Sequence, residues 1–235
     1  MASKFLIIDS SLSGFLFQSQ KFERSFNLST EDSKKFGSIA GCNFFVLIKS
    51  ETLRRTSFER DRYFESYASI HLVSARTGKL VNWAFVKFEE DSERESRSRL
   101  FDSIEQAANS IALKIDSSEK EETILEYSNV PELDENLDYA RDGFRPPLPY
   151  RRLKPAYTDI ASLYDILATV DIAVTVDAEG NVTDTQILRW AGYGLDESVI
   201  ETVKKMKWRP ADENGRTMAM QVLLRYNFKN IVTDN

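Results

Sequence analysis

The chain of 235 residues has a single cysteine, Cys42, and a single histidine, His71. One thiol excludes an internal disulfide framework, though it leaves the compartment open. So small a supply of Cys and His also argues against a zinc site, and no metal ligand set is expected. His71 lies in a predicted strand with no nucleophile or orienting acid in view, so a core role is preferred to a catalytic one. Cys42 follows Ile39-Ala40-Gly41 in the manner of a lipoprotein cleavage box. The charged run Glu31-Asp32-Ser33-Lys34-Lys35 stands where an apolar signal core is needed, which leaves a buried cysteine at a strand start as the expectation. No apolar run approaches the length that spans a bilayer. Positive charge is not in excess: the formal net charge is -6, which excludes a nucleic-acid partner held by a basic surface. Gly192-Tyr193-Gly194 precedes a helical pattern, but Asp196-Glu197 in its first turn would repel a phosphate, so no cofactor is expected.

The composition is that of an ordinary globular chain, 42% hydrophobic and 29% charged, long enough for one large or two ordinary domains. Phe5, Leu6, Ile7 and Ile8 form a short apolar run, read as a buried strand, followed by a helical lean over 10–20. Ser29 with Asp32 opens a helix that Gly41 stops near Ala40. Strands are expected over 43–50, 63–74 and 80–88, the last two joined at Thr77-Gly78. Leu100, Ile104, Ala107, Ala108 and Ile111 give a helical stripe ending near Ile115. This order, with Gly41-Cys42-Asn43-Phe44-Phe45 leading a strand and residues 72–80 crossing a hairpin, resembles the α/β domain of the TolB amino-terminal region and the curli-secretion lipoproteins. Those domains usually begin with a further strand and helix, which implies material ahead of Met1.

Residues 116–149 are rich in acid and end in Arg145-Pro146-Pro147-Leu148-Pro149, the composition of an extended linker. The basic run Arg151-Arg152-Leu153-Lys154 balances that acid or faces an anionic surface. A short helix is expected over 155–166, leading into the first strand of the second domain.

In residues 170–228 the local signals agree on one small unit. Val170, Ile172, Val174 and Val176 alternate with polar or small residues, as on a half-buried strand, and Asp177-Ala178-Glu179-Gly180-Asn181 turns it toward a partner over 182–190. Leu195, Val199, Val203 and Met206 lie along one helical face, with Asp196 and Glu197 first and Lys204, Lys205 and Lys207 last, the order a helix dipole favours. Pro210 stops the helix. Asn214-Gly215 then turns the chain into a strand of about a dozen residues, on the order of 40 Å, ending at Phe228.

Together, Pro155-Ala156-Tyr157, the turn from Val176 to Val182, Gly194-Leu195-Asp196, Trp208-Arg209-Pro210-Ala211, and Asn214-Gly215 before the last strand resemble the carboxy-terminal domain family of TonB over about residues 150–230. Ala168 stands where members often carry Gly, and Thr158 where a Tyr-Pro pair is common. The fold class expected is α+β: two small α/β-sandwich-type domains at 1–115 and 150–235, the second a TonB-like β-β-α-β unit, with the linker 116–149 between them. The resemblance implies a bacterial periplasmic energy transducer, tethered through a missing anchor to inner-membrane motor proteins, that does no chemistry. Its partner would be a peptide segment of an outer-membrane TonB-dependent receptor, added to the edge of the last strand. The residues assigned to that contact are Pro155, Tyr157, Ala219, Gln221, Leu223, Arg225 and Asn227. The competing expectation is an envelope scaffold that forms a homodimer through the TonB-like domain and so covers the same edge.

Overall fold

A computed structural model describes residues 5–125 and 143–229, which divide into two units. The first comprises α1 (Ser10–Ser19), α2 (Thr30–Ala40), β1 (Phe44–Arg55), β2 (Tyr63–Ser74), β3 (Leu80–Glu90), α3 (Glu93–Asp102) and α4 (Ile104–Leu125). Its strands form an antiparallel sheet in the order β1-β2-β3, so β2 is central and buried over nearly its whole length. Phe17, Phe36 and Phe45 meet edge to face at 5.0 and 4.9 Å, joining α1 and α2 to β1. Gly37 is required in α2 because a side chain there would come within 2.2 Å of the Ala75 methyl. The buried Glu65 of β2 is paired with Arg55 at 3.2 Å and Lys87 at 3.5 Å, as a charge in that position must be.

Three expectations for this unit need correction. Residues 5–8 form no strand: Leu6 and Ile7 are largely exposed, and among the described residues no neighbouring strand offers them backbone partners. The single helix expected to end near Ile115 is two. It breaks at Ser103, whose hydroxyl donates to the Leu100 carbonyl at 2.7 Å, and then runs on to Leu125 because the Glu and Lys that follow are good helix formers. The first strand, expected over 43–50, is longer and runs from Phe44 to Arg55. The remaining acidic residues, 126–142, lie outside the described residues. His71 is fully buried in β2, 5.8 Å from the Phe26 ring.

The second unit comprises β4 (Phe144–Arg145), β5 (Leu148–Pro149), α5 (Asp159–Leu163), β6 (Ala168–Val176), β7 (Val182–Arg189), α6 (Leu195–Lys204), β8 (Trp208–Arg209), β9 (Ala211–Glu213), β10 (Arg216–Met218) and β11 (Met220–Phe228). Its main sheet is antiparallel in the order β11-β6-β7. Val170, Ile172, Val174 and Val176 on one face of β6 are fully buried, as are Leu195, Val199 and Val203 of α6 and the side chain of Trp190. Burial of each such side chain contributes about 1.5–3 kcal/mol. Mixed helix and sheet, α+β, describes the chain.

The long last strand expected from the alternation is interrupted at Ala219. Residues of β10 pair back on β9 across the Asn214-Gly215 turn, whereas β11 pairs with β6 from Met220 opposite Val176 onward. β6 ends at Val176 and offers nothing further to pair with, so the strand changes partner there. Gly180, with φ of +83°, closes the β6–β7 turn against β8; a Cβ there would lie 2.1 Å from the Trp208 carbonyl oxygen.

Residues Asn27–Thr30 belong to this second unit. The Asn27 amide donates to the carbonyls of Thr169 (2.8 Å) and Trp190 (2.6 Å), and its oxygen accepts from the Thr169 N–H at 2.8 Å. Arg189 donates to the Asn27 carbonyl, Trp190 donates to that of Leu28, and Ser29 bridges antiparallel to Arg189. The sheet thus continues past the end of β7 onto a segment from far upstream.

Candidate functional site

β11 has β6 on one side and, among the described residues, no strand on the other. Leu224, Tyr226 and Phe228 point into the core, while Leu223, Arg225 and Asn227 are exposed on the opposite face. The backbone direction follows from one contact: Arg152 donates from its guanidinium to the Arg225 carbonyl, so that carbonyl points off the sheet. Backbone groups on a strand alternate, and therefore those of Gln221, Leu223 and Asn227 point off the edge as well. Nine residues of edge, about 30 Å, are presented in this way.

A row of charges runs across the sheet beside the edge. Arg225 of β11 makes a two-pronged contact with the buried Asp171 carboxylate of β6, at 2.6 and 2.9 Å, and Arg189 of β7 donates to the same group at 3.2 Å. Burying Asp171 is tolerated because its oxygens are taken up by these two guanidinium groups. The Thr169 hydroxyl donates to Asn227 at 2.8 Å and extends the cross-strand row.

Where β11 ends, a pocket of about 340 Å³ opens between it and the segment leading to α5. Its walls are Lys154, Pro155, Tyr157, Tyr226, Phe228 and Lys229. Tyr157 stacks on Phe228 at 6.2 Å and is fixed at its other end by its hydroxyl, which donates to the Ala161 and Ile166 carbonyls, each at 3.0 Å. Burial raises the phenol pKa of Tyr157 above its usual value, so it remains a neutral donor. The Arg152 guanidinium lies 5.0 Å over the Tyr226 ring, at the pocket's margin.

The residues assigned from sequence fall into two groups. Gln221, Leu223, Arg225 and Asn227 lie along β11, and Pro155, Tyr157 and Asn227 meet at the pocket. Ala219 does not join them: it is the exposed break between β10 and β11. Sequence reasoning overlooked Asp171, which appeared as one polar member of an alternating strand, and Lys229, which follows the last alternating residue. Arg152 and Lys154 were visible only as a basic run.

The helix that opens at Leu195 has a left-handed Gly194 as its cap, at φ of +72°, and no side-chain capping bond. Asp196 is turned back and buried, accepting from the Ala191 N–H at 2.9 Å and the Gly192 N–H at 2.7 Å. Burial pushes its carboxyl up to about 7 against the opposing effect of those bonds. Among the described residues no group of three Cys, His, Asp or Glu is placed to hold a metal ion. Nor is any helix there long and apolar enough to cross a membrane.

A three-stranded sheet backed by one helix, with β11 at its border, defines a small α+β domain. Residues 154–230 match the family described as Gram-negative bacterial TonB protein C-terminal, in keeping with the resemblance read from the sequence. Among curated proteins the chain is similar to Protein TonB of Vibrio cholerae serotype O1, with 31% identity over 86 residues, 36% of this chain and 35% of that protein. The chain thus spans about a third of the length of this relative. Among solved structures it is similar to the solution NMR structure of the Pseudomonas aeruginosa TonB CTD, with 22% identity over 39% of this chain and 91% of the other, at a TM-score of 0.32.

Proposed function

We propose that the carboxy-terminal unit captures an extended peptide segment of an outer-membrane TonB-dependent receptor by strand addition along β11. In this reading the chain works in the periplasm as part of a TonB-like energy transducer, linked to inner-membrane motor proteins through an anchor, and transmits force without catalysis. The observation that carries the proposal is the edge of β11, where the backbone groups of Gln221, Leu223, Arg225 and Asn227 face outward with no neighbouring strand among the described residues. Match to the TonB C-terminal family supports the choice of partner.

Leu223→Pro tests the proposal without disturbing the sheet, because the N–H it deletes points away from β6. Titration calorimetry against synthetic peptides tiling the periplasm-facing segments of outer-membrane receptors should show binding to the native chain. That binding should weaken about tenfold or more in Leu223→Pro, equivalent to about 1.4 kcal/mol, and stay unchanged in Leu223→Thr. A folded Leu223→Pro variant that binds as tightly as the native chain overturns the reading. A dimer that resists dilution in light scattering, with its interface along β11, would replace it with the scaffold that dimerises through the same domain.

A further inference from the structure

The sheet of the first unit has two borders, and they are built differently. β3 is guarded as exposed strands usually are: its ladder to β2 is irregular between Leu72 and Val73, and charges stand at Lys87, Glu89 and Glu90. β1 lacks these devices. It has no proline, pairs with β2 in unbroken register from Phe44 opposite Ser74 to Arg55 opposite Tyr63, and carries only one charge, Lys49, between Phe44 and Ser50. Among the described residues no strand lies on its other side. Ile48 is 59% exposed and Val46 38%. A long, regular, apolar border of this kind is a template for one more strand.

One bond fixes the backbone direction. The Ala75 N–H donates to the Asn43 carbonyl at 2.8 Å, so the odd-numbered residues of β1 face β2. The even-numbered ones, Phe44, Val46, Ile48, Ser50, Thr52 and Arg54, therefore turn their N–H and C=O groups outward. Two copies related by a twofold axis meet antiparallel along such a border, and these outward residues must then pair with one another. Charge selects the register. With Ser50 on the axis, Lys49 of each copy faces Glu51 of the other and Leu47 faces Leu53, both in the closely spaced, non-hydrogen-bonded kind of pair. Moving the axis to Lys49 or to Glu51 puts two like charges face to face, and a further slip sets Lys49 opposite Leu47 or Arg55. Glu51 is already oriented by the Tyr67 hydroxyl, which donates to its Oε2 at 2.7 Å.

We infer that β1 joins two copies of this chain through their first units, antiparallel and centred on Ser50, into one continuous six-stranded sheet. β11 belongs to the other unit, so this pairing does not use the edge assigned to peptide capture. A dimer of this kind carries two such edges.

Sedimentation velocity of the full chain tests the pairing over a concentration series reaching about 100 μM, the range of a modest association. The native chain should dimerise. Lys49→Glu and Glu51→Lys each replace two attractive cross-strand pairs by two repulsive ones, and each alone should weaken dimerisation about tenfold or more. Mixed in equal amounts, the two variants should associate at least as well as the native chain, because every facing pair is again of opposite sign. Recovery on mixing also shows that both variants are folded. Ile48→Pro deletes an outward N–H and spares the ladder to β2, so it should abolish dimerisation while Leu223→Pro leaves it intact. A native chain that stays monomeric throughout overturns the inference. So does a dimer that survives both charge variants, or charge variants that fail to recover on mixing. A dimer lost in Leu223→Pro and kept in Ile48→Pro moves the contact to β11 and overturns it as well.

Discussion

The two units solve the problem of burying a sheet in different ways. Of the twelve largest fully buried side chains among the described residues, nine belong to the second unit, including Trp190, Ile172, Leu195 and Val199. The first unit contributes Leu72, His71 and Val73, and its central strand also buries Glu65, Ser66, Ser69 and Ser74. Meanwhile Phe15, Phe58, Phe101, Ile104 and Leu113 of the first unit are more than half exposed. The second unit buries the apolar faces of β6 and α6 against each other, although Leu148, Tyr150, Leu163 and Leu167, outside those elements, are more than half exposed. The first invests its central strand in hydrogen bonds and ion pairs, such as Trp83 to Ser69 and Arg55 to Glu65, and leaves apolar faces of its helices unburied. A single apolar substitution should therefore act very differently in the two.

The largest effect is expected from Ile172→Ala, which empties a site sealed between β6 and α6 and should cost about 4 kcal/mol. Hydrogen exchange read by mass spectrometry should show loss of protection in β6, β7 and β11 with β2 unchanged; equal loosening of β2 would mean the units do not respond separately. A smaller change, on the order of 2 kcal/mol, should follow pH. The folded value of Asp196, about 7, lies above the ordinary carboxylate value near 4, so the folded state holds this proton more tightly. Its stabilising contribution is complete below about pH 4 and is lost as pH rises through 7. Chemical denaturation of the second unit from pH 5 to 8 should show the decline, and Asp196→Asn should flatten it. A flat native profile would mean that the Ala191 and Gly192 bonds outweigh burial.

Asn27→Ala should cost about 1–2 kcal/mol and speed exchange at the Thr169 N–H, its hydrogen-bond partner. The smallest effect belongs to the first unit: Phe101→Ser and Leu113→Ser should each change stability by less than about 0.5 kcal/mol, measured by thermal melting. A loss of several times that size would show these side chains to be covered in solution and would erase the contrast between the units.

The second unit was legible because its signals are local. Alternation in β6, the Asp177 turn and the stripe of α6 each follow from residues within a few positions of one another; Asp177 accepts from the N–H groups of Glu179 and Asn181 at 3.0 and 2.7 Å. Long-range partnership was not legible. The interruption at Ala219 depends on where β6 stops, and the exposure of Leu6 and Ile7 on there being no neighbouring strand among the described residues. Asp196 reads equally well as a charge favouring the helix dipole or as a buried acceptor, and only the positions of Ala191 and Gly192 decide. At the candidate site, the alternation revealed which face of β11 is exposed. The pocket was hidden because Lys154 and Lys229 are 75 positions apart and carry no shared pattern.

Asn27 has a practical bearing on how this protein is cut and handled. The stretch outlined by family likeness begins at residue 154, yet the compact unit it belongs to includes a short clasp from residues Asn27–Thr30. A gene fragment trimmed to the likeness would leave the Thr169 amide and the Trp190 carbonyl without the amide side chain that satisfies them.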